Sequence, residues 1–220
     1  MNKVVIFGIG HLASLLYYYL SNESIYDVVA FCVDKKYLNS KKFNDLPVYA
    51  FEDMKKYYNS SEIKIILALG YSCMRSRKNI YDRVINTGFE LINYISSKAI
   101  VAENVKLGVN NIILAGSILE PNVEIGDNNI IWSSTTICHD VKIGNHNFIA
   151  AGTVVGGFTK IENLCFIGFS STILQNIHIL SESLIGAKTL QLKNTVECSK
   201  WLGSPSRLIG FHYQEGIKIS

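Results

Sequence analysis

The stretch VAENVKLGVNNIILAGSILEPNVEIGDNNIIWSSTTICHDVKIGNHNFIA, residues 101–150, opens a run in which every sixth residue is a large aliphatic. The frame holds for fifteen steps, from Val101, Leu107 and Ile113 through Ile137, Ile143 and Ile149 to Ile179 and Ile185. If such residues filled one position in three, chance would give this run roughly once in 10^7 trials, so the period belongs to the fold. Six is neither the helical nor the pleated-strand period. It is the period of a parallel β-helix in which each six-residue unit makes one short strand and one corner, and three units close a coil. About five coils stacked some 4.8 Å apart would form a prism on the order of 24 Å long, with the aliphatics pointing inward. Glycine follows the aliphatic at Gly108, Gly126, Gly144, Gly156, Gly168 and Gly186, and the fourth residue after it is small or β-branched, as at Ser117, Thr135, Thr153, Ser171, Ser183 and Thr189. These positions read as corners, where a missing or small side chain tolerates unusual dihedrals and close approaches.

Working outward, residues 1–98 follow a different pattern. Lys3 to Phe7 reads as a buried strand and Gly8 to Gly10 as a tight turn. His11 to Leu20 reads as a helix with Leu12, Leu15, Leu16 and Tyr19 on one side. A second strand, Val28 to Val33, ends at Asp34. A polar loop, a short helix around Glu52 to Tyr57, a strand Ile63 to Leu69 closing at Gly70, a helix Met74 to Thr87 and a last strand Phe89 to Tyr94 follow. Strands alternating with helices predict a small parallel sheet, hence a Rossmann-like α/β domain. Residues 99–192 form the β-helix domain. Residues 193–220 lose the period and read as a C-terminal cap.

The composition narrows the function classes. A net charge of +3 with 18% charged residues is too weak to imply a nucleic-acid partner. No segment approaches eighteen uninterrupted apolar residues, and MNKVVIFGIG reads as a strand and turn instead of a leader, so a cytoplasmic protein without membrane insertion is expected. Five scattered cysteines with no CxxC pair indicate reduced thiols, with no disulfide frame and no metal site.

Two motifs carry chemistry. GIGHLA, residues 8–13, supplies Gly8, Gly10 and His11 where a Rossmann-like unit turns backbone N–H groups toward a phosphate. Asp34, Lys35 and Gly70 lie at predicted C-terminal strand ends and converge on the same crevice. The alternative for this motif is a tight turn that binds nothing. The second motif is His139 followed by Asp140, in the run CHDVKIGNHNFIAAG. An imidazole beside a carboxylate suits general-base chemistry near neutral pH.

A GxGxxA-type domain joined to a hexapeptide β-helix carrying H-D/E-x-x-I-G resembles the sialic acid O-acetyltransferase and PglD-like sugar N-acetyltransferase family over nearly the whole chain. The resemblance implies a left-handed β-helix and a homotrimer. It implies acetyl-CoA as co-substrate and a nucleotide-linked amino sugar as acceptor, with His139 as general base and Asp140 orienting it. It further implies Gly157 as an N–H donor to the thioester carbonyl, Gly186 and Ala187 along the pantetheine arm, and Lys188, Pro205 and Arg207 near the far end of CoA. The chain departs from its relatives at Phe148, where they carry a second histidine. His146 is the nearest replacement, otherwise a solvated coil residue. Transfer to a sugar hydroxyl, as in sialic acid O-acetylation, is the neighbouring reading. A non-catalytic sugar-nucleotide-binding protein, NAD binding by the first domain, and an acyl-enzyme on Cys138 are further alternatives.

Overall fold

The computed structural model describes residues 2–23 and 26–219. The chain divides into two compact units, one made of residues 1–70 and 79–94 and the other of 71–78 and 95–220. The segment 71–78, assigned from sequence to the first domain, therefore packs with the repeats.

In the first unit, strands β1 (Asn2–Phe7), β2 (Tyr26–Val33), β3 (Lys42–Phe43), β4 (Leu46–Ala50), β5 (Ile63–Leu67) and β6 (Glu90–Leu91) form one sheet in the order β3-β4-β2-β1-β5-β6. All neighbours are parallel except β3 and β4. These two form a hairpin inside the expected polar loop. Its turn residues Asn44 and Asp45 have φ of 45° and 63°, the pair of positive φ values that a two-residue hairpin turn needs. Helix α1 (His11–Glu23) buries Leu12, Ala13, Leu16 and Leu20, while Leu15 and Tyr19 of the expected apolar stripe stay half-buried. The short helix is α2 (Met54–Tyr57), entered through a 3-10 turn at Phe51–Asp53. The expected last strand is two separate pieces, Glu90–Leu91 and Tyr94–Ile95. Beneath the sheet, Val5, Phe7, Ala30, Cys32, Ile65 and Leu67 pack with Phe51, Met54, Val84 and Phe89.

In the second unit, sixteen two-residue strands recur every six residues from Ile100–Val101 to Leu190–Gln191. Each pairs in parallel with the strand eighteen residues away, as Ile130–Ile131 does with Phe148–Ile149, giving three sheets around one core. The fold is a hexapeptide-repeat parallel β-helix of the left-handed class. Thirteen aliphatics of the frame from Ile113 onward stack inside with Val123, Val141, Cys165 and Ile177, and Val101 and Leu107 pack against them at the open end. Truncating one such residue, Ile149 for example, to Ala would cost about 2–5 kcal/mol.

The corners differ from the sequence expectation. The left-handed backbone position lies three residues after the aliphatic, and it recurs without a break from Asn110 (φ 57°) to Lys188 (φ 55°). Only Gly116 and Gly152 among these positions are glycine. The glycines directly after the aliphatic have ordinary φ and serve close approach: a Cβ on Gly156 would stand 2.6 Å from the Gln175 backbone nitrogen. The small residues four after the aliphatic are buried, and Ser117, Thr135, Thr153 and Ser171 donate their hydroxyls to carbonyls of the next coil.

The sixteenth inward position is Gln191, fully buried, and there the aliphatic column ends. The chain then adds Ser199–Leu202 in parallel beside Leu184–Ile185 and folds Arg207–Phe211 back antiparallel on it. Residues 193–220 thus extend one sheet of the prism.

Candidate active site

His139 and Asp140 occupy one corner of the third turn of the prism. Asp140 holds the left-handed position at φ 59°. On extended chain, neighbouring side chains diverge, and the reversal at the corner brings these two together: His139 Nδ1 lies 2.9 Å from Asp140 Oδ2. A carboxylate only accepts, so Nδ1 carries the proton and Nε2 of the neutral ring is the free base. The other carboxylate oxygen, Oδ1, accepts from the Asn122 amide at 3.1 Å, and the His139 backbone N–H donates to Glu120 Oε2 at 2.7 Å. The corner is therefore held on both sides while the imidazole stays half-exposed.

Gly157 sits directly over the free edge of the ring. A Cβ there would fall 2.9 Å from His139 Cε1 and 3.0 Å from Nε2, so only glycine leaves the imidazole in place. Gly157 is buried, its carbonyl accepts the Asn176 N–H, and among the described residues its own N–H has no acceptor. An unpartnered amide beside a base is a site that can take a developing oxyanion. The next residue, Phe158, has φ 60° and an exposed ring set edge-on to the imidazole, with centroids 5.1 Å apart at 85°. A left-handed conformation costs a bulky L-residue roughly 1–2 kcal/mol. No motif in the sequence signalled Phe158.

Cys138 is partly buried, and burial followed by the charge of Glu120 raises its thiol pKa, which opposes the thiolate that an acyl-enzyme would need. Phe148, where the resemblance predicts a second histidine, is buried in an aromatic stack. Its ring lies 5.3 Å from Phe166 in parallel and 4.4 Å from Tyr71, which the 71–78 segment contributes. His146 is not a solvated coil residue. It is buried at another corner, where its Nδ1 accepts from the Asn128 amide at 2.9 Å, and Asn128 accepts in turn from Asn110. Corners repeat every eighteen residues, so His146 stacks with Asn128 while His139 belongs to the column of Asn122 and Asn176. His146 does not join His139.

The remaining expected residues divide into occupied and open ones. Gly186 donates its N–H to Trp201 at 2.9 Å and packs under Leu202, where a Cβ would have no room, so its expected place along an open arm is taken by the C-terminal strand. Ala187, Lys188, Pro205 and Arg207 are exposed. The turn 203–206 is held against Leu190 by two backbone hydrogen bonds, three coils or roughly 14 Å along the axis from His139.

In the first unit, Gly8 has φ 127°, donates to Cys32 and faces Ala68 O at 2.8 Å from a would-be Cβ, so the fold itself demands this glycine and takes up its N–H. Gly10, His11 and Gly70 stay open, with no atom near enough to crowd a Cβ at either glycine. Asp34 is buried in an ion pair with Arg83, and the Lys35 N–H donates to Glu52, so Asp34 is not a free carboxylate awaiting a ribose. Arg83 was not legible as its partner, because 49 residues separate them. Among the described residues, no three of His, Cys, Asp and Glu converge to hold a metal, and no helix is long and apolar enough to cross a membrane.

The family model of the bacterial transferase hexapeptide (six repeats) matches residues 122–157, the segment that contains the His139 corner. No curated protein sequence matches the chain. Among solved structures, the acetyltransferase domain of PglB from Neisseria gonorrhoeae FA1090 is similar at 19% identity and TM-score 0.86, over 95% of this chain and 100% of that one. A His-to-Asn mutant of perosamine N-acetyltransferase from Caulobacter crescentus, in complex with CoA and GDP-perosamine, is similar at 19% identity and TM-score 0.85, over 96% and 98%. WeeI from Acinetobacter baumannii AYE is similar at 17% identity and TM-score 0.84, over 95% and 100%. At these identities the likeness establishes a common fold across the whole chain.

Proposed function

We propose that the chain is an acetyl-CoA-dependent N-acetyltransferase acting on a nucleotide-linked amino sugar. The observation that carries the reading is the His139 corner: a proton-accepting Nε2, a carboxylate holding Nδ1, and the unpartnered N–H of Gly157 beside them. Acetyl-CoA supplies an activated acyl group as a thioester. The acceptor amine attacks the thioester carbonyl carbon and forms the C–N bond, and His139 Nε2 takes the proton that the nitrogen loses. The Gly157 N–H stabilises the oxyanion, a contribution worth about 3–4 kcal/mol for one aimed donor. The C–S bond then breaks, and His139 returns the proton to the departing sulfur, leaving an N-acetyl sugar and CoA. Exposed Ala187, Lys188, Pro205 and Arg207 are proposed to meet the CoA end, with the cations toward its phosphates.

The open amides at the start of α1, from Gly10 and His11, take the acceptor's phosphates. Lys35 and Gly70 are further proposed contacts, and Asp34 acts there as an ion pair with Arg83. The GDP-perosamine bound by the Caulobacter relative supports this class of acceptor. The domain boundaries near residues 98 and 192, a cytoplasmic location and a homotrimer complete the reading. Flat prism faces pack about a closed threefold axis without open-ended growth.

Thiol release from acetyl-CoA, measured with a panel of nucleotide-linked amino sugars that includes GDP-perosamine, is the direct test. Turnover is expected with amines and not with their hydroxyl counterparts. Turnover with free sialic acid alone would replace N- by O-acetylation, and no turnover with any acceptor would sink the enzyme reading. Light scattering that gave a monomer with full activity would remove the trimer.

A further inference from the structure

The left-handed corner column that contains His139's partner reads Asn122, Asp140, Phe158, Asn176 along successive coils. Asn and Asp adopt this conformation readily, and a phenylalanine does not. The fold imposes this conformation at every corner, and with Phe158 58% exposed, burial does not account for a phenylalanine there. Its ring contact is the His139 imidazole, and Gly157, the residue before it, lies over Cε1 and Nε2 of that imidazole. Phe158 thus borders the imidazole whose Nε2 is the proton acceptor.

We propose that Phe158 is the platform for the acceptor's amino-sugar ring, and that it selects amines over hydroxyls. The inference rests on the acetyltransferase reading above. An aromatic face carries negative quadrupole density, so it attracts a cation and the electropositive C–H face of a sugar. Before transfer, a sugar amine at neutral pH is an ammonium: the ring holds it beside His139, its extra proton passes to solvent, and Nε2 takes the second proton as the C–N bond forms. A hydroxyl acceptor gains no such attraction. Backbone strain at a bulky exposed residue is the kind that persists where function requires it.

The test replaces Phe158 by Asn, the residue of the neighbouring coils, and by Tyr. For Phe158→Asn the acceptor KM should rise about tenfold while the KM of acetyl-CoA stays within about twofold, the scale of a lost cation–π contact. Thermal stability should be unchanged or higher, since the strain is relieved, and the mass in light scattering should be unchanged. Phe158→Tyr keeps the aromatic face and should keep the wild-type acceptor KM. With 4-fluorophenylalanine incorporated, the resonance missing from Phe158→Asn should move on titration with the amino-sugar nucleotides of the panel and stay in place with acetyl-CoA. A KM rise for acetyl-CoA instead, an unchanged acceptor KM, or a lowered oligomer mass would each overturn the platform. Turnover that persists with an unaltered acceptor KM sinks the platform alone, whereas a wild-type chain without turnover sinks the acetyltransferase reading first.

Discussion

His139 and His146 stand seven residues apart on one solenoid and have opposite fates. His139 precedes the left-handed residue of its corner, so its side chain projects outward and Asp140, one step on, swings back to hold it. His146 is itself the left-handed residue, and its ring lies along the corner as one rung of an Asn110–Asn128–His146 ladder. A single step in phase separates a half-exposed base from a buried structural amide substitute. Residue type alone therefore says little on this scaffold, and phase relative to the corner decides the role. His178 makes the same point. Its Nε2 is held at 2.8 Å by Glu162, which also accepts from Ser181, so the nitrogen that is free in His139 is engaged in His178.

The sharpest way to break this contrast is His139→Ala. Turnover should fall roughly 10^2- to 10^4-fold with acetyl-CoA affinity unaltered, because a general base acts on the transition state. Thiol release within a few-fold of wild type would cancel the distinction. Gly157→Ala should follow, with a loss of roughly 10^2, since the new Cβ would displace the imidazole and a shift of about 1 Å in a reacting group has that effect. Calorimetry should show little change in its melting temperature, and a fully active variant would show that the close approach is irrelevant.

Asp140→Asn should cost about tenfold in kcat. A charge-assisted hydrogen bond is worth about 1.5–3 kcal/mol, discounted here because the carboxylate is a third exposed. The variant should leave stability alone, and a loss as large as that of His139→Ala would mean the carboxylate itself handles the proton. His146→Ala should do the reverse of all three. Kinetics should be untouched, while orphaning the Asn128 amide costs about 1–3 kcal/mol, or roughly 2–12 °C of melting temperature in a chain of this size. His146→Asn, which continues the ladder, should be nearly silent in both measurements. A kinetic defect in either His146 variant would join the two corners.

The period of six and the alternation of strands and helices were legible because burial imposes them on every repeat. The His139–Asp140 pair was legible as two chemistry-bearing residues side by side. The left-handed position was hidden, since Asn, Ser, His, Phe, Leu, Glu and Lys all occupy it and the eye is drawn to glycines that serve packing instead. Asp34 read as a free carboxylate because the Arg83 that neutralises it comes from a distant helix. The hairpin Lys42–Ala50 could have been found from Asn44-Asp45 between Phe43 and the apolar run Leu46–Ala50. The departure of 71–78 from its own domain had no local signal at all: Tyr71 joins Phe148 and Phe166, and Arg77 donates to Asn128 and Asn147, through contacts far apart in sequence.

The unbroken recurrence of the corner makes the prism a ruler with fixed divisions. Inserting or deleting six residues would hand every later side chain to a different face, so the smallest edit that keeps all three faces is a whole coil of eighteen. Each such edit between Phe158 and Lys188 moves the turn bearing Arg207 away from or toward His139 by one division of about 4.8 Å. The span between His139 and the cap can change only in those increments, so on the proposed acetyltransferase reading the length of acyl donor would be quantised.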